Sequence, residues 1–407
     1  MGSGLEAAGD VVVTGIGAVT SLGETADRTW DALCAGDSGA GPITRFDPEE
    51  AGVRSQVACE LGSGPDDDRI DDRSMGRYAE FAVAAAVEAI EDAGFDPAAP
   101  GWDPERVGTS IASALGGFPE IEAAAGSRPS PRFLITALAN LAAGHVSMCF
   151  DARGPNRAPA TACAAGTHAI ADAVADIQCG RADVVLAGGA EAPISPLGVG
   201  SFDTMRALST RNDDPAGASR PFDADRDGFV LGEGGAVLVL ESRAHAEDRN
   251  VSTYATVTGA GRTADAHHPT RPAEGGSGLC RAIERALTDA DRDPEDVDHV
   301  NAHGTSTPTG DARETEAFRA VFPEVPPVTS VKGGVGHALG AAGAIESAIV
   351  ARSIADGVIP PTANYETPDP DCDVPVVADS RDADLEVVVT TSAGFGGTNG
   401  ALVFEDV

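Results

Sequence analysis

Short runs of apolar, mostly β-branched residues alternate with Ala-rich stretches of helical length along the whole chain. This alternation restricts the chain to an α/β architecture with buried sheets. Strands are expected at 11–13, 107–111, 184–187 and 237–240, and again at 254–257, around Val300, and at 328–331, 387–391 and 401–404. Helices are expected between the later ones, at 278–290 and 341–355. Two strand openings, VVVTGIGAV and YATVTGAGR, look alike and predict an internal duplication with a boundary near 243–252. The division that follows is a tail over 1–10, an N-terminal half over 11–245 and a C-terminal half over 246–407. The Pro-, Gly- and Asp-rich stretches 36–72 and 212–228 read as surface loops or insertions.

The formal charge of −36 excludes nucleic acid and anionic membrane surfaces as partners, since both require clustered positive charge. Carboxylates spread over the whole sequence beside an ordinary hydrophobic fraction describe a uniformly acidic, solvated surface. Such a surface repels itself in dilute buffer and is screened at molar salt, where the Debye length is about 3 Å. A salt-loaded cytoplasm is the expected setting, because the chain has no membrane-length apolar run and no basic, apolar leader at its start. Seven cysteines, odd in number and without a CxxC pair, predict neither a disulfide framework nor a zinc ribbon. The 28 basic residues are arginines except for a single lysine, Lys332. A composition that replaces lysine everywhere else points to a need for a compact ammonium at that position.

Three segments carry candidate chemistry. RAPATACAAGTHAIADAVADIQCG sets Cys163 where an extended piece turns into an Ala-rich helix, with Gly180 as its stop. The N–H groups and positive dipole end there favour a thiolate and can receive an oxyanion, although an isolated ACA tripeptide also describes a buried structural cysteine. VNAHGTSTPTGDARETE ends a strand at His303 and continues into a Gly/Thr loop, where Thr305 and Thr307 offer short hydroxyls to a polar tunnel. TSVKGGVGHALGAAGAIESA places Lys332 and His337 on either side of a glycine-rich turn. The phosphate-cradling alternative lacks GxxxxGK[ST]. TTSAGFGGTNGALVFE forms a second glycine-rich turn between strands with Phe395 at its tip. VTGIGAVTSLG lacks the third glycine of a dinucleotide site. Together, one helix-capping thiol and two imidazoles beside a lysine can hold an acyl group and stabilise the enolate left when a malonyl carboxylate departs as carbon dioxide.

On these residues the sequence closely resembles the β-ketoacyl-acyl carrier protein synthase II family, the elongating condensing enzymes of the thiolase superfamily. The densest blocks are TACAAGTHAI, AGGAEAPISPLGVGSF, RALSTRNDDPAGASRPFDADRDGFVLGEGGAVLVLE, NAHGTSTPTGD, VGHALGAAGAIES and GFGGTNG. The resemblance implies a duplicated, five-layered α/β/α/β/α thiolase-like fold, with the nucleophile in the first half and both histidines in the second, usually as a homodimer. It implies Cys163 as acyl acceptor, His303 and His337 as the decarboxylating and condensing pair, and Lys332 with Glu314 as its acidic neighbour. Phe395 resembles the gating phenylalanine, whose N–H joins that of Cys163 in an oxyanion hole. Thr305 and Thr307 match positions that hold the substrate's pantetheine arm, Glu314, His268 and Thr270 are further substrate-binding candidates, and Arg73 and Arg206 match carrier-docking positions. The implied partners are acyl carrier protein or coenzyme A thioesters, and no metal or redox cofactor is implied, since the substrates carry phosphopantetheine.

The chain departs from the family's usual NSFGFGGTN, with Thr391 for Asn and Ala393 for the first Phe, and its 117–134 segment is shorter than usual. Competing activities remain. A non-decarboxylating thiolase requires a second catalytic cysteine, and Cys372 stands outside any such motif. A chain-length partner subunit would lack the nucleophile.

Overall fold

The computed structural model describes residues 9–62, 67–71, 73–95, 103–126 and 128–407. Most of the expected 1–10 tail and part of the 117–134 segment lie outside these. Among the described residues the principal sheet has ten strands, and their order exposes the duplication. In the first half Val11–Val19 pairs with Gly234–Ser242, then come Val184–Glu191, Val107–Ala112 and the short edge Asn156–Arg157. In the second, Ala255–Ala264 pairs with Thr398–Glu405, followed by Val387–Gly394, His299–Asn301 and Val328–Thr329. Each half runs antiparallel, antiparallel, parallel, parallel. The halves meet where Val11, Val12 and Val13 pair antiparallel with Val257, Thr256 and Ala255.

Helices complete five layers. Arg77–Asp92 covers the outer face of the first half-sheet, and Ser277–Asp289 with Pro308–Val321 covers that of the second. Between the sheets lie Ala165–Gln178 and Ala342–Asp356, both apolar around most of their circumference, as a helix sandwiched on both sides must be. These two helices cross at their N-termini in backbone contact. A Cβ on Gly166 would lie 2.6 Å from the backbone nitrogen of Ala344, and one on Gly343 would lie 2.2 Å from Thr167 Oγ1. That close approach brings the loops ahead of the two helices together, and those loops carry Cys163 and His337.

The structure corrects the reading of 36–72 as surface loop. Gly41–Pro42, Val57–Cys59 and Leu231–Gly232 form a three-stranded sheet, and Ile43, Val53 and Ala58 are buried in the cluster beside Cys163. Strands this short carry no legible period, so only their tertiary partners define them. The expected strand 328–331 ends at Thr329, because Lys332–Val335 forms a single helical turn. No helix among the described residues is long and apolar enough to cross a membrane.

His299, buried on the strand that leads to His303, shares a hydrogen bond of 2.9 Å with Thr329 Oγ1 through Nε2, and its Nδ1 has no partner. Burial pushes its pKa down to about 3, with Arg381 adding to the effect. The unfolded chain, with an ordinary imidazole near 6.5, therefore takes up a proton before the folded one does. The associated stability is complete above about pH 6.5 and declines as pH falls toward 3, by at most about 1.4 kcal/mol per pH unit. His299→Leu should show a shallower loss of urea stability between pH 7 and 5 than the parent protein. Equal slopes would mean that this imidazole does not titrate on unfolding.

Candidate active site

Cys163 sits in a turn, Ala162–Ala164, that feeds the helix Ala165–Gln178, and Ala162 adopts φ of 52° to make that turn. The turn is tied to the C-terminal hairpin, since Thr398 Oγ1 donates to the Thr161 carbonyl at 2.9 Å. The hairpin strands Val387–Gly394 and Thr398–Glu405 leave Phe395 at the tip, beside Cys163, where its backbone N–H favours the thiolate form of the sulfur. Glycine at 394 suits this approach, because a Cβ there would lie 2.6 Å from Thr398 Oγ1, 3.0 Å from the Thr161 carbonyl and 3.1 Å from the Cys163 nitrogen. Two backbone donors, those of Phe395 and Cys163, thus stand beside one sulfur.

The expectation of a resting thiolate is not met. Burial pushes the Cys163 pKa up to about 12, although Lys332 and the Phe395 N–H both pull it down and the buried carboxylates Glu191 and Glu346 add to the rise. Desolvation of the sulfur outweighs the helix end. The residue rests as a thiol, and its proton has to leave as an acyl group arrives.

His303 and His337 face each other edge to face with ring centroids 5.3 Å apart. Glu314 fixes the first by accepting the backbone N–H of His303 and of Gly304, each at 2.7 Å. Thr391 joins this knot, donating to Glu314 Oε1 at 2.9 Å and accepting the His303 N–H at 3.1 Å. The hydroxyl at 391 therefore holds the strand end where the family usually has an amide. His337 is anchored through its backbone, which donates to Val230 O at 2.8 Å, while its ring lies 5.3 Å from that of Phe229.

Lys332 organises the pair from below. Its ammonium, almost wholly buried, contacts the His303 carbonyl at 2.5 Å and His303 Nδ1 at 3.3 Å, and it forms an ion pair with Glu346. A lysine below Nδ1 makes that nitrogen the acceptor and leaves the ring's proton on Nε2. Burial and the Lys332 charge hold both imidazoles well below their ordinary range, and His337 lowers His303 further. Both are therefore neutral rings at neutral pH. Glu346 escaped the sequence reading. Its signal was a lone carboxylate in the apolar run AGAIESAIVA, fourteen residues after the only lysine, where a helix face with no solvent demands a cation nearby.

These groups close one end of a cavity of about 500 Å³ whose lining includes Cys163, His303, His337, Phe395, Leu339 and Phe229. His268, Thr270, Thr305, Thr307 and Glu314 line the same cavity, as do Ala393 and Arg206. Thr305 and Thr307 share a 3.0 Å hydroxyl contact, and Thr307 also caps the helix Pro308–Val321. Arg73 is placed apart, on an exposed turn before the outer helix Arg77–Asp92, and does not line the cavity. Among the described residues no group of three or more His, Cys, Asp or Glu is placed to hold a metal.

Comparison with known proteins agrees with this geometry. Residues 8–246 match the family model for the N-terminal domain of β-ketoacyl synthase, and 254–366 match that for its C-terminal domain. The 3-oxoacyl-[acyl-carrier-protein] synthase 2 of Coxiella burnetii is 43 % identical over 98 % of both chains. Its counterpart from Staphylococcus aureus is 42 % identical over 97 % of this chain and 98 % of its own. A solved β-ketoacyl synthase from Burkholderia phymatum superposes with a TM-score of 0.91 at 36 % identity, over 98 % of this chain and all of that one. A chain of a type II polyketide acyl carrier protein in complex with its hexaketide-bound ketosynthase gives 0.90 at 33 %, with the same coverage. The fold, the nearly full-length identity and the site together establish that this chain belongs to the β-ketoacyl synthase family and is an elongating condensing enzyme of fatty acid or polyketide synthesis.

Proposed function

We propose that Cys163 accepts the growing acyl chain and that His303 and His337 drive condensation with a malonyl thioester. The observation that supports this most directly is the convergence of one thiol, two neutral imidazoles and the Phe395 N–H at the closed end of a single cavity. In the first half-reaction the Cys163 sulfur bonds to the acyl carbon, the carrier's C–S bond breaks, and the thiol proton leaves with the carrier sulfur. In the second, the malonyl C–C bond breaks and releases carbon dioxide. The resulting enolate oxygen is held by imidazole N–H donors, with that of His303 on Nε2. Its α-carbon attacks the acyl-enzyme, the N–H groups of Phe395 and Cys163 receive the oxyanion, the acyl C–S bond breaks, and the thiolate left on Cys163 takes a proton from solvent to restore the thiol. Loss of one such donor costs about 10²–10³ in rate.

The donor is an acyl carrier protein or coenzyme A thioester, the protein needs no metal or redox cofactor, and it works as a homodimer in a salt-rich cytoplasm. The exposed apolar side chains Ile121, Leu134, Ile135 and Leu138 cluster on neighbouring short helices and offer a face for a second copy. The test is intact-mass spectrometry in molar salt after incubation with acyl carrier and acyl coenzyme A thioesters of several lengths. An added acyl mass located on Cys163 is expected. Absence of any adduct would instead favour a non-catalytic partner subunit.

A further inference from the structure

Three buried glutamates lie about the active site, and the chemistry above draws on two of them, Glu314 and Glu346. The third is Glu191, wholly buried at the end of the strand Val184–Glu191 and close enough to Cys163 for its charge to raise the thiol. Among the described residues no cation is paired with it. Its four partners are neutral donors. Oε1 accepts the Ser113 hydroxyl at 2.8 Å and the Leu115 N–H at 3.1 Å, and Oε2 accepts the Ala114 N–H at 2.7 Å and the Gly340 N–H at 3.0 Å. A buried carboxylate without a counter-ion is costly unless donors satisfy both of its oxygens, and here each oxygen has two.

The four donors come from two segments far apart in sequence. One is the loop 113–116 after the strand Val107–Ala112, folded back on itself by the Gly116 N–H, which donates to Ser113 Oγ at 3.0 Å. The other is the single turn Leu339–Ala341 between His337 and the helix Ala342–Asp356, and it packs on the nucleophile turn Ala162–Ala164. The two segments touch through their backbones, since a Cβ on Gly340 would lie 2.3 Å from the Ala114 nitrogen. Leu339 adopts φ of 46°, a conformation that a bulky residue keeps only when its surroundings enforce it. In that conformation Leu339 lines the cavity with Cys163, and Ala114, Leu115 and Cys163 pack against the same apolar cluster.

We infer that Glu191 is a positioning residue for acyl transfer: its carboxylate locks the 113–116 loop to the Leu339 turn and so fixes the apolar wall against which the acyl group on Cys163 is laid. The inference rests on the reading of Cys163 as acyl acceptor. A carboxylate suits the task because both of its oxygens accept, so one side chain holds all four donors. An amide offers a single acceptor oxygen and turns its own NH₂ group against the remaining donors. The wall bears on the acyl chain and not on the thioester, so its contribution grows with the length of chain laid along it.

The test measures acylation of Cys163 by acetyl thioesters and by thioesters of the longest acyl group that the parent accepts, on coenzyme A and on acyl carrier protein. The proteins are the parent, Glu191→Gln and Ser113→Ala, each with its urea midpoint. Glu191→Gln should acylate from the acetyl donor within about threefold of the parent and from the long donor at least about tenfold less efficiently, as loss of charge-assisted hydrogen bonds implies. The loss should appear in KM with kcat little changed, because the wall meets the chain in ground state and transition state alike. Ser113→Ala removes one donor of the four and should show the same dependence on length at smaller size. The Gln result decides wherever that variant keeps its fold, and the Ser113→Ala result decides otherwise. A loss equal at both lengths would mean that Glu191 serves only the stability of the fold and would overturn the inference, as would unchanged acylation. Failure of every thioester to acylate the parent would remove the reading of Cys163 and this one with it.

Discussion

Cys163→Ala is expected to lower acyl transfer by about 10⁴-fold or more, because the atom that forms the thioester is gone and nothing else in the cavity can replace it. Cys163→Ser should fall nearly as far, since a buried hydroxyl is harder still to deprotonate than a thiol pushed up to about 12. The fold should survive. Only one half-buried sulfur is removed, at the wall of a cavity that Phe202 and Leu339 also line, so the packed core is unchanged. The His303 and His337 pair is untouched by the change, so decarboxylation of malonyl thioesters should persist. The decisive measurement is transfer of radiolabelled acyl groups to the protein, read together with carbon dioxide release and the melting temperature. Retained acyl transfer would falsify the assignment of the nucleophile.

Lys332→Met is expected to cost about 3–5 kcal/mol of stability, since it leaves Glu346 buried without its cation. The loss should depend on pH in a defined direction. Burial already raises the Glu346 carboxyl, and Lys332 is the main influence holding it down. Without the lysine the folded state keeps a proton that the unfolded chain releases near pH 4.3. Stability of the variant should therefore fall as pH rises above that value, so that it resists urea better at pH 5 than at pH 7.5 relative to the parent. Equal relative stability at the two values would show that the pair is not coupled as the contacts indicate. Condensation should drop by about 10²-fold as well, because His303 Nδ1 loses the donor that selects its tautomer. The double variant Lys332→Met with Glu346→Gln separates the two effects. It should recover much of the stability and little of the activity.

Much of the site was legible in the order of residues. Strand runs of Val and Ile, the Ala-rich helix behind Cys163 and the glycine turns before His337 and around Phe395 follow from local sterics and period, and the structure places them as expected. The lone lysine pointed to a compact ammonium by composition alone, while its burial was not legible there. Glu346, by contrast, lies in a helix whose sequence gives it no local task; its role exists only because the crossing at Gly166 and Gly343 brings that helix beneath His303. The short strands Gly41–Pro42 and Val57–Cys59 were hidden for a similar reason, being defined by a partner near residue 231 and not by any period of their own.

The sequence by itself determined the architecture, the duplication and the identity of the chemical groups, because periodicity, turn residues and residue chemistry act over a few neighbours. Only the tertiary structure decided the protonation states. Whether Cys163 rests as thiol and His303 as a neutral ring depends on how much water is excluded and which charges lie within a few ångströms. For Cys163 they are set largely by segments more than a hundred residues away that carry Lys332, Glu346 and Phe395, and for His303 by the separate segment that carries Lys332 and His337.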